Sequence, residues 1–419
     1  MINKVVGSFT GLAKSAIEVL VGHDDPDVFN IVFDIQPNLT EFTYGGVNMS
    51  NLRAGGTGLS LQEAVVRGIG ELIERYSLIV YPSEIADEII FASYEDLKKS
   101  GFYALKPEKI PLFSKEQYSQ KDFPFKRFTS TSKVGWVKGY CLLTKSDIYV
   151  PAQMIYPGYV PKNKEPFIFP ATTSGAATAS SYEEAIIRGI YEEIERHLFM
   201  LTWFNRHTLP QLKIDESEKL NEIFTRISNK GYRYFLRHTT YCKKIHYVLG
   251  IAVNENNCWP KFLVGGAANL DPINAAYKAL LETAQGIPFA KLLSIKFHQE
   301  KIDPYRIMDF ERNVAFYSDP KNYRYVSFLL KSKKCSSINA LVFDYKKSSK
   351  ILKELVKILA NEHAHLIVFD STPTNIADIG FRVVKIFIPE LVQLSLPSYP
   401  YLGHPKLREK TNLMPHPYP

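Results

Sequence analysis

Apolar residues return with a helical period in two stretches of the chain that are near copies of one another. Where the backbone advances about 100° per residue, positions three and four apart share a face. Val65, Val66, Ile69, Leu72, Ile73 and Tyr76 then form one stripe, and Glu63, Arg67, Glu71, Glu74 and Arg75 line the other side. The spacing predicts an amphipathic helix packed on a core. Residues Glu184 to Arg196 repeat the pattern 121 positions later, with Glu184, Arg188, Glu192, Glu195 and Arg196 as the charged face. Glu193 and His197 interrupt the second apolar stripe.

A charged stripe opposite an apolar one is usually a solvated face with i,i+4 salt links. Here the same charged types return in the same register, which a solvated surface does not require. Each copy ends in Glu-x-x-Glu-Arg, and each follows small residues, Ala54-Gly-Gly-Thr-Gly58 and Thr172-Thr-Ser-Gly-Ala-Ala-Thr178, which read as flexible loops. A degenerate third copy runs from Ala275 to Gln285: Lys278 stands where Arg67 and Arg188 do, Glu282 matches Glu71 and Glu192, and Gln285 replaces Glu74 and Glu195. Oxygen donors of this kind suit a hard cation such as Mg2+, held by a few carboxylates together with phosphates.

Around the repeats the reading is mixed. Gly11 to Val21 reads as a short helix and Asn30 to Asp34 as a strand. Trp136–Leu143 and Ile148–Ile155 read as strands joined by a turn at Lys145-Ser-Asp, and Ile245–Val253 with Phe262–Ala267 as another pair. Segment 346–362 reads as a helix with Leu352, Leu355, Val356 and Leu359 on one face, and Leu366–Phe369 and Val383–Ile388 as strands. Strands followed by like helices at unequal spacing predict an α+β fold with internal pseudo-symmetry.

The ordered set Gly55-Gly-Thr-Gly-Leu-Ser60, Glu71-x-x-Glu74-Arg75, Thr172-Thr-Ser-Gly175, Glu192-x-x-Glu195-Arg196, Gly265-Gly-Ala-Ala-Asn269 and Glu282-x-x-Gln285 resembles the YcaO-domain family, from about residue 50 onward. Trp203-Phe-Asn-Arg206 resembles that family too. The resemblance implies a YcaO-type fold of repeated strand–helix units around an ATP site without a P-loop, in keeping with the lack of Gly-x-x-x-x-Gly-Lys-Ser/Thr and Gly-x-Gly-x-x-Gly runs here. It assigns Mg2+ contacts to Glu71, Glu74, Glu192, Glu195 and Glu282, and nucleotide contacts to Arg75, Ser174, Arg196 and Gln285. It divides the chain into an N-terminal segment, 1–50, and a YcaO domain, 51–419.

A proline-rich tail is by composition a solvated polyproline II end or a ligand for another domain. Within the family, Pro415-His-Pro-Tyr-Pro419 resembles the azoline-forming members, whose tail enters the active site, and a role for the terminal carboxylate falls to Pro419. The implied reaction is ATP-dependent cyclodehydration of a ribosomally made precursor peptide. A Cys, Ser or Thr side chain attacks the preceding amide carbonyl, the resulting hemiorthoamide oxygen is phosphorylated, and loss of phosphate leaves a thiazoline or oxazoline. Such chemistry asks the protein for positioning and charge neutralisation.

By the same resemblance the partners are the precursor, a separate leader-peptide-binding protein, a flavin-dependent azoline oxidase, and a second copy of the chain as a homodimer. Two other readings stand beside it: a peptide thioamide- or amidine-forming enzyme, against which the tail argues, and a nonenzymatic nucleotide-binding scaffold. Thr57, Arg67 and His197 depart from the family pattern, at positions where Lys, Ser and Asp are common. Arg67 is a candidate replacement for the missing lysine.

Composition adds limits. With 419 residues and 45% hydrophobic content the chain can bury a sizeable core. A formal charge of +8 favours anionic partners without a nucleic-acid motif. Cys141, Cys242, Cys258 and Cys335 are scattered, which predicts neither zinc site nor disulfide framework and a reducing cytoplasm. His363 and His365 lack a convincing ligand set. No membrane-length apolar run or export signal is present.

Overall fold

The computed structural model describes residues 5–7, 10–36, 43–44, 47–48, 53–161, 164–214, 217–228, 231–338, 347–362, 365–407 and 412–418. The first unit is an antiparallel sheet of β1 (Ala13–Val19), β2 (Phe29–Ile35) and β3 (Arg53–Gly58), followed by helix α1 (Leu61–Glu84). Here the sequence expectation fails at Gly11–Val21: the segment is strand, its backbone groups paired with β2 from Ala13↔Ile35 to Val19↔Asn30. Pairing with a neighbour overrides weak local preference in so short a stretch. Ala54–Gly58 is likewise strand, paired from Phe29↔Gly58 to Phe33↔Ala54. The sheet thus joins strands from both sides of residue 50.

The second unit holds β4 (Ile90–Ala92), β5 (Val134–Cys141), β6 (Ser146–Pro151), β7 (Ala176–Ala179) and α2 (Tyr182–Phe204). After Pro151 the chain turns into a short helix, Ala152–Ile155, where continued strand was expected. The third unit has β8 (Gln211–Ile214), β9 (Tyr232–Tyr241), β10 (Ile245–Asn254), β11 (Phe262–Asn269) and α3 (Pro272–Lys296). The chain continues through α4 (Phe310–Ser318), β12 (Cys335–Ile338) and α5 (Ser348–Asn361), then returns to the second sheet as β13 (Ile367–Asp370) and β14 (Arg382–Phe387). The sheet orders are β11-β10-β9-β8-β12 and β4-β5-β13-β14-β7, with β6 paired to β5.

The three long helices are built alike. Each begins at a side-chain cap, Ser60 on the Glu63 N–H, Ser181 on the Glu184 N–H and Asp271 on the Ile273 N–H, which satisfies a backbone donor left free at a helix start. Each follows a strand at the edge of its sheet. Each also packs onto the edge strand of the next unit: α1 on β7, α2 on β11, and α3 on β3, so the units close into a ring.

Small residues set how closely helix and strand approach. A Cβ added at Gly56 would lie 2.0 Å from the Ala64 carbonyl and 2.3 Å from the Gly68 nitrogen. One added at Gly189 would lie 2.7 Å from the Gly175 carbonyl, and one at Gly250 would lie 2.7 Å from that of Ala279. Gly68, Gly189 and Ala279 occupy one register in the three copies.

The main core gathers α2, β10, β11, α5 and β14 around Phe199, Trp203, Tyr247 and Leu359. The apolar stripe of α1 is buried at Ile69, Leu72 and Ile73, but Val66 is 56% exposed. The expected face of α5 packs on the core through Leu355 and Leu359, flanked by Leu352 and Val356, with Ile358 in addition.

Candidate functional site

Glutamates at two levels of the repeat do two different jobs. The first of each motif reaches back to the glycine-rich strand or loop of its own unit. Glu71 Oε2 accepts from the Gly55 N–H at 3.0 Å and Glu282 Oε2 from the Gly266 N–H at 3.2 Å, and Glu192 faces the Gly175 N–H in the same way. The second position reaches the next unit in the first and third motifs and the C-terminal tail in the second. Glu74 Oε1 accepts from the Thr178 N–H at 2.8 Å, and Gln285 Nε2 lies 3.2 Å from a Cβ added at Gly55, which itself is 4.0 Å from Glu71 Oε2. Glu195 Oε1 accepts from the Tyr418 phenol at 2.6 Å. Six motif positions that are distant in sequence are thus brought close together.

Arg75 pairs with Glu71 at 2.6 Å, and Arg196 lies 3.4 Å from both Glu192 and Glu195. Arg196 Nε and Nη1 and Arg75 Nε are buried without a hydrogen-bond partner. Buried guanidinium donors left open are costly unless a further acceptor arrives.

Burial dominates the titration of the acids. It pushes the Glu74 carboxyl up to about 8, with the Glu192 and Glu71 charges adding to the shift. Glu195 is raised by burial, opposed by Arg196, then pushed further by Glu282 and Glu192. Burial also raises Glu192, with Arg196 and Lys385 pulling against it, and Glu282, with Arg196 opposing. Glu282 is exposed by surface area, while its carboxyl lies among the charges of Arg196, Lys278 and Glu192. Mutual repulsion among carboxylates is the environment a divalent cation relieves.

Among the described residues no three acidic, imidazole or thiol side chains form a ready-made ligand cage. Strand amides, arginines and a phenol hold the carboxylates apart. Such a donor set fits Mg2+, which keeps waters and completes its octahedron with one or two carboxylates and phosphate oxygens.

One helical turn before the acids stands a cationic counterpart. Arg67 pairs with Glu63 at 2.8 Å, and the Tyr277 phenol donates to the same carboxylate at 3.2 Å. Arg188 Nη1 donates to the Thr178 carbonyl at 2.9 Å. Burial lowers the Lys278 ammonium, and Arg67 and Arg188 lower it further as like charges. Three cations from three helices therefore gather beside five carboxylates. Thr57 is buried in β3, its hydroxyl donating to Asn30 Oδ1 at 2.6 Å. His197 is buried as a neutral ring whose Nδ1 accepts from the Val392 N–H at 2.9 Å.

The tail lies in a slot between α2 and α4. The Trp203 indole donates to the Met414 carbonyl at 2.8 Å, Asn313 donates to the His416 carbonyl at 2.6 Å, and the Tyr317 phenol donates to the Pro415 carbonyl. Tyr418 is 1% exposed, and the Arg196 guanidinium sits 4.5 Å from the centre of its ring. Pro419, to which the sequence assigns a carboxylate role, lies outside the described residues, as does His363. His365 is engaged with Glu390.

Two site residues escaped the sequence reading. Lys385, whose only signal was a lone charge in the apolar run Val383–Ile388, is 3% exposed, and its ammonium donates to the Thr172 carbonyl at 2.9 Å and to that of Ser174. Ser174 itself is buried, with its side of the loop turned toward this lysine. Tyr418 was hidden inside a motif read for its prolines. The four cysteines are free, and no helix among the described residues is long and apolar enough to cross a membrane.

A profile described as YcaO cyclodehydratase, ATP- and Mg2+-binding, matches residues 55–392. An uncharacterised protein of Methanothermobacter thermautotrophicus is 27% identical over 235 residues, covering 55% of this chain and 56% of its own. Among solved structures, a heterocyclase in complex with substrate and cofactor has a TM-score of 0.73 at 20% identity, covering 93% of this chain and 51% of that one. YcaO from Methanopyrus kandleri bound with AMPPCP and Mg2+ has a TM-score of 0.65 at 19% identity, covering 92% and 87%. The chain thus spans about half the length of that curated relative and of that heterocyclase.

Proposed function

Because the chain belongs to the YcaO family, a family of ATP- and Mg2+-binding proteins, we propose that it is an ATP-dependent peptide cyclodehydratase. Its substrate on this reading is a ribosomally made precursor peptide, whose Cys, Ser or Thr residues become thiazolines or oxazolines. The observation that supports this most is the docked tail, because the Tyr418 phenol sits on Glu195 inside the acidic ring. A tail that merely decorated the surface would have no reason to reach a site carboxylate.

Bound ATP with Mg2+ supplies the phosphoryl group that turns a poor oxygen leaving group into phosphate. The rest falls to this chain. Glu71, Glu74, Glu192, Glu195 and Glu282 offer the oxygen donors for Mg2+. Arg67, Arg188 and Lys278 balance triphosphate charge, and Arg75 and Arg196 bring open donors to the same cleft. Gln285, a neutral amide where the other units carry glutamate, lowers the total negative charge at one junction of the ring. Ser174 serves through the loop whose Gly175 N–H faces Glu192. The carboxylate of Pro419 is assigned to placing the peptide or moving a proton.

Leader-peptide binding is assigned to a partner protein, with a flavin-dependent oxidase acting afterwards where azoles are formed. The test combines the chain, that partner, a Cys/Ser/Thr-rich precursor, ATP and Mg2+. Peptide-dependent phosphate release with loss of one water per ring is the expected result. Exchange of a peptide oxygen for sulfur would move the assignment to thioamide formation, and no peptide-dependent phosphate release would favour a scaffold.

A further inference from the structure

Lys385 lies on β14 opposite Ala176 of β7, beneath the loop that precedes α2. An ammonium has three N–H donors, and two of them here hold the carbonyls of Thr172 and Ser174, the first at 2.9 Å. Its carboxylate neighbours are Glu193 and Glu192. Glu193 is 2% exposed; its Oε2 accepts from the Gln393 amide at 2.9 Å, while Oε1 is buried without a hydrogen bond.

The next residue in the loop, Gly175, has φ +81°, a conformation that favours glycine. A Cβ there would stand 2.4 Å from the Ile386 carbonyl and 2.6 Å from Glu193 Oε1. The Ile386 N–H donates to the Gly175 carbonyl at 2.8 Å, and the Gly175 N–H faces Glu192. The carbonyls of Thr172, Ser174 and Gly175 are therefore fixed from β14, and the Ser174–Gly175 peptide among them carries the N–H that faces Glu192.

A lysine with its charge sealed in protein is costly to keep when a neutral side chain could fill the same space. Carbonyl groups at a loop that must turn its N–H donors toward the cleft need a donor from behind, and an ammonium supplies it from one atom. Resting on the nucleotide-site reading, we propose that Lys385 is a positioning residue: by tying down the Thr172 and Ser174 carbonyls it sets the Gly175 N–H and, through it, the direction in which Glu192 faces Mg2+.

The test compares Lys385→Met and Lys385→Arg with the parent chain at a temperature well below the melting point of each. Hydrogen exchange reads the loop directly. For Lys385→Met the amides of Ser174–Ala176 should exchange at least about tenfold faster than in the parent, while the paired amides of β10 are unchanged. The Mg2+ concentration giving half-maximal binding of a non-hydrolysable ATP analogue should rise about tenfold or more, in line with loss of a group supporting a metal ligand. Lys385→Arg, which keeps a buried cation with carbonyl-directed donors, should recover part of both effects.

Parent-like loop exchange and parent-like Mg2+ dependence in Lys385→Met would overturn the proposal, as would uniform loosening of the whole sheet without a local effect. If the parent binds no Mg2+ with the analogue, the nucleotide reading fails, and the exchange result still decides whether Lys385 holds the loop.

Discussion

Burial strengthens the hold of the Glu74 carboxyl on a proton, and the same group makes a structural hydrogen bond. Its Oε1 bridges from α1 to the Thr178 N–H, and burial with two acidic neighbours lifts its pKa to about 8. Glutamine at this position can still accept from Thr178, yet it brings no charge to a cation. Glu74→Gln should therefore keep the melting temperature close to that of the parent while peptide-dependent ATP turnover falls at least about a hundredfold. His416 gives the complementary case at the tail. It is fully buried, its Nε2 2.8 Å from the Ser395 carbonyl, and burial lowers its pKa to about 4. A base depressed in the folded state takes up its proton more readily when the tail is released, so docking is at full strength above about 6.5 and weakens as pH falls toward 4. Hydrogen exchange at Leu413–Tyr418 should accelerate across that window beyond the intrinsic trend, and His416→Gln should flatten the profile. The glutamates were legible from their recurrence, but His416 and Tyr418 were not, since nothing local distinguishes a buried aromatic from a solvated one in a proline-rich stretch.

At the scale of elements the repeat told more than its charged face alone. Ser60, Ser181 and Asp271 recur as caps in the register of the three copies, and Gly68, Gly189 and Ala279 recur where a helix meets a strand. Two glycines of α1 separate packing from propensity. A Cβ at Gly68 would lie 2.5 Å from the Phe33 ring, whereas one at Gly70 would meet nothing within 4 Å. Gly68→Ala should cost about 1–3 kcal/mol by overpacking, and Gly70→Ala should gain about 0.5–1 kcal/mol from helix propensity. Thermal unfolding of the two variants checks both signs, and equal shifts would remove close approach as the reason for Gly68. The reading failed where periodicity is weakest. Seven residues of β1 have no strong alternation, and only the partner β2 decides that they are strand; the glycine-rich Ala54–Gly58 looked like a loop because composition does not report a sheet edge.

At the scale of the whole molecule, five carboxylates spread between residues 71 and 282 are brought near one another. Each helix leaves its own edge strand and packs on the next unit's, and the ring so closed gathers the acidic faces of a linear repeat. The order of the motifs was visible in the chain, whereas ring closure was not, because it depends on contacts between segments far apart in sequence. The tail joins those carboxylates from outside the ring, held by Trp203, Asn313 and Tyr317 before Tyr418 reaches Glu195. A chain ending at Met414 retains the Trp203 contact and loses the others. It should bind an ATP analogue within a few-fold of the parent but form rings at least about a hundredfold more slowly, as expected when a reacting group is misplaced. Parent-like cyclisation by that chain would remove the tail from the chemistry.

The claim beneath all of this is that the three helices share one Mg2+-triphosphate site. Its most direct test is a crystal of the chain grown with a non-hydrolysable ATP analogue and Mn2+, with metal positions read from anomalous scattering. Peaks between the phosphates and the carboxylates of Glu71, Glu74, Glu192, Glu195 and Glu282, with Arg67, Arg188 and Lys278 on the phosphate side, are the predicted result. Manganese and nucleotide bound away from that ring, with those carboxylates still held only by their amides and arginines, would contradict it.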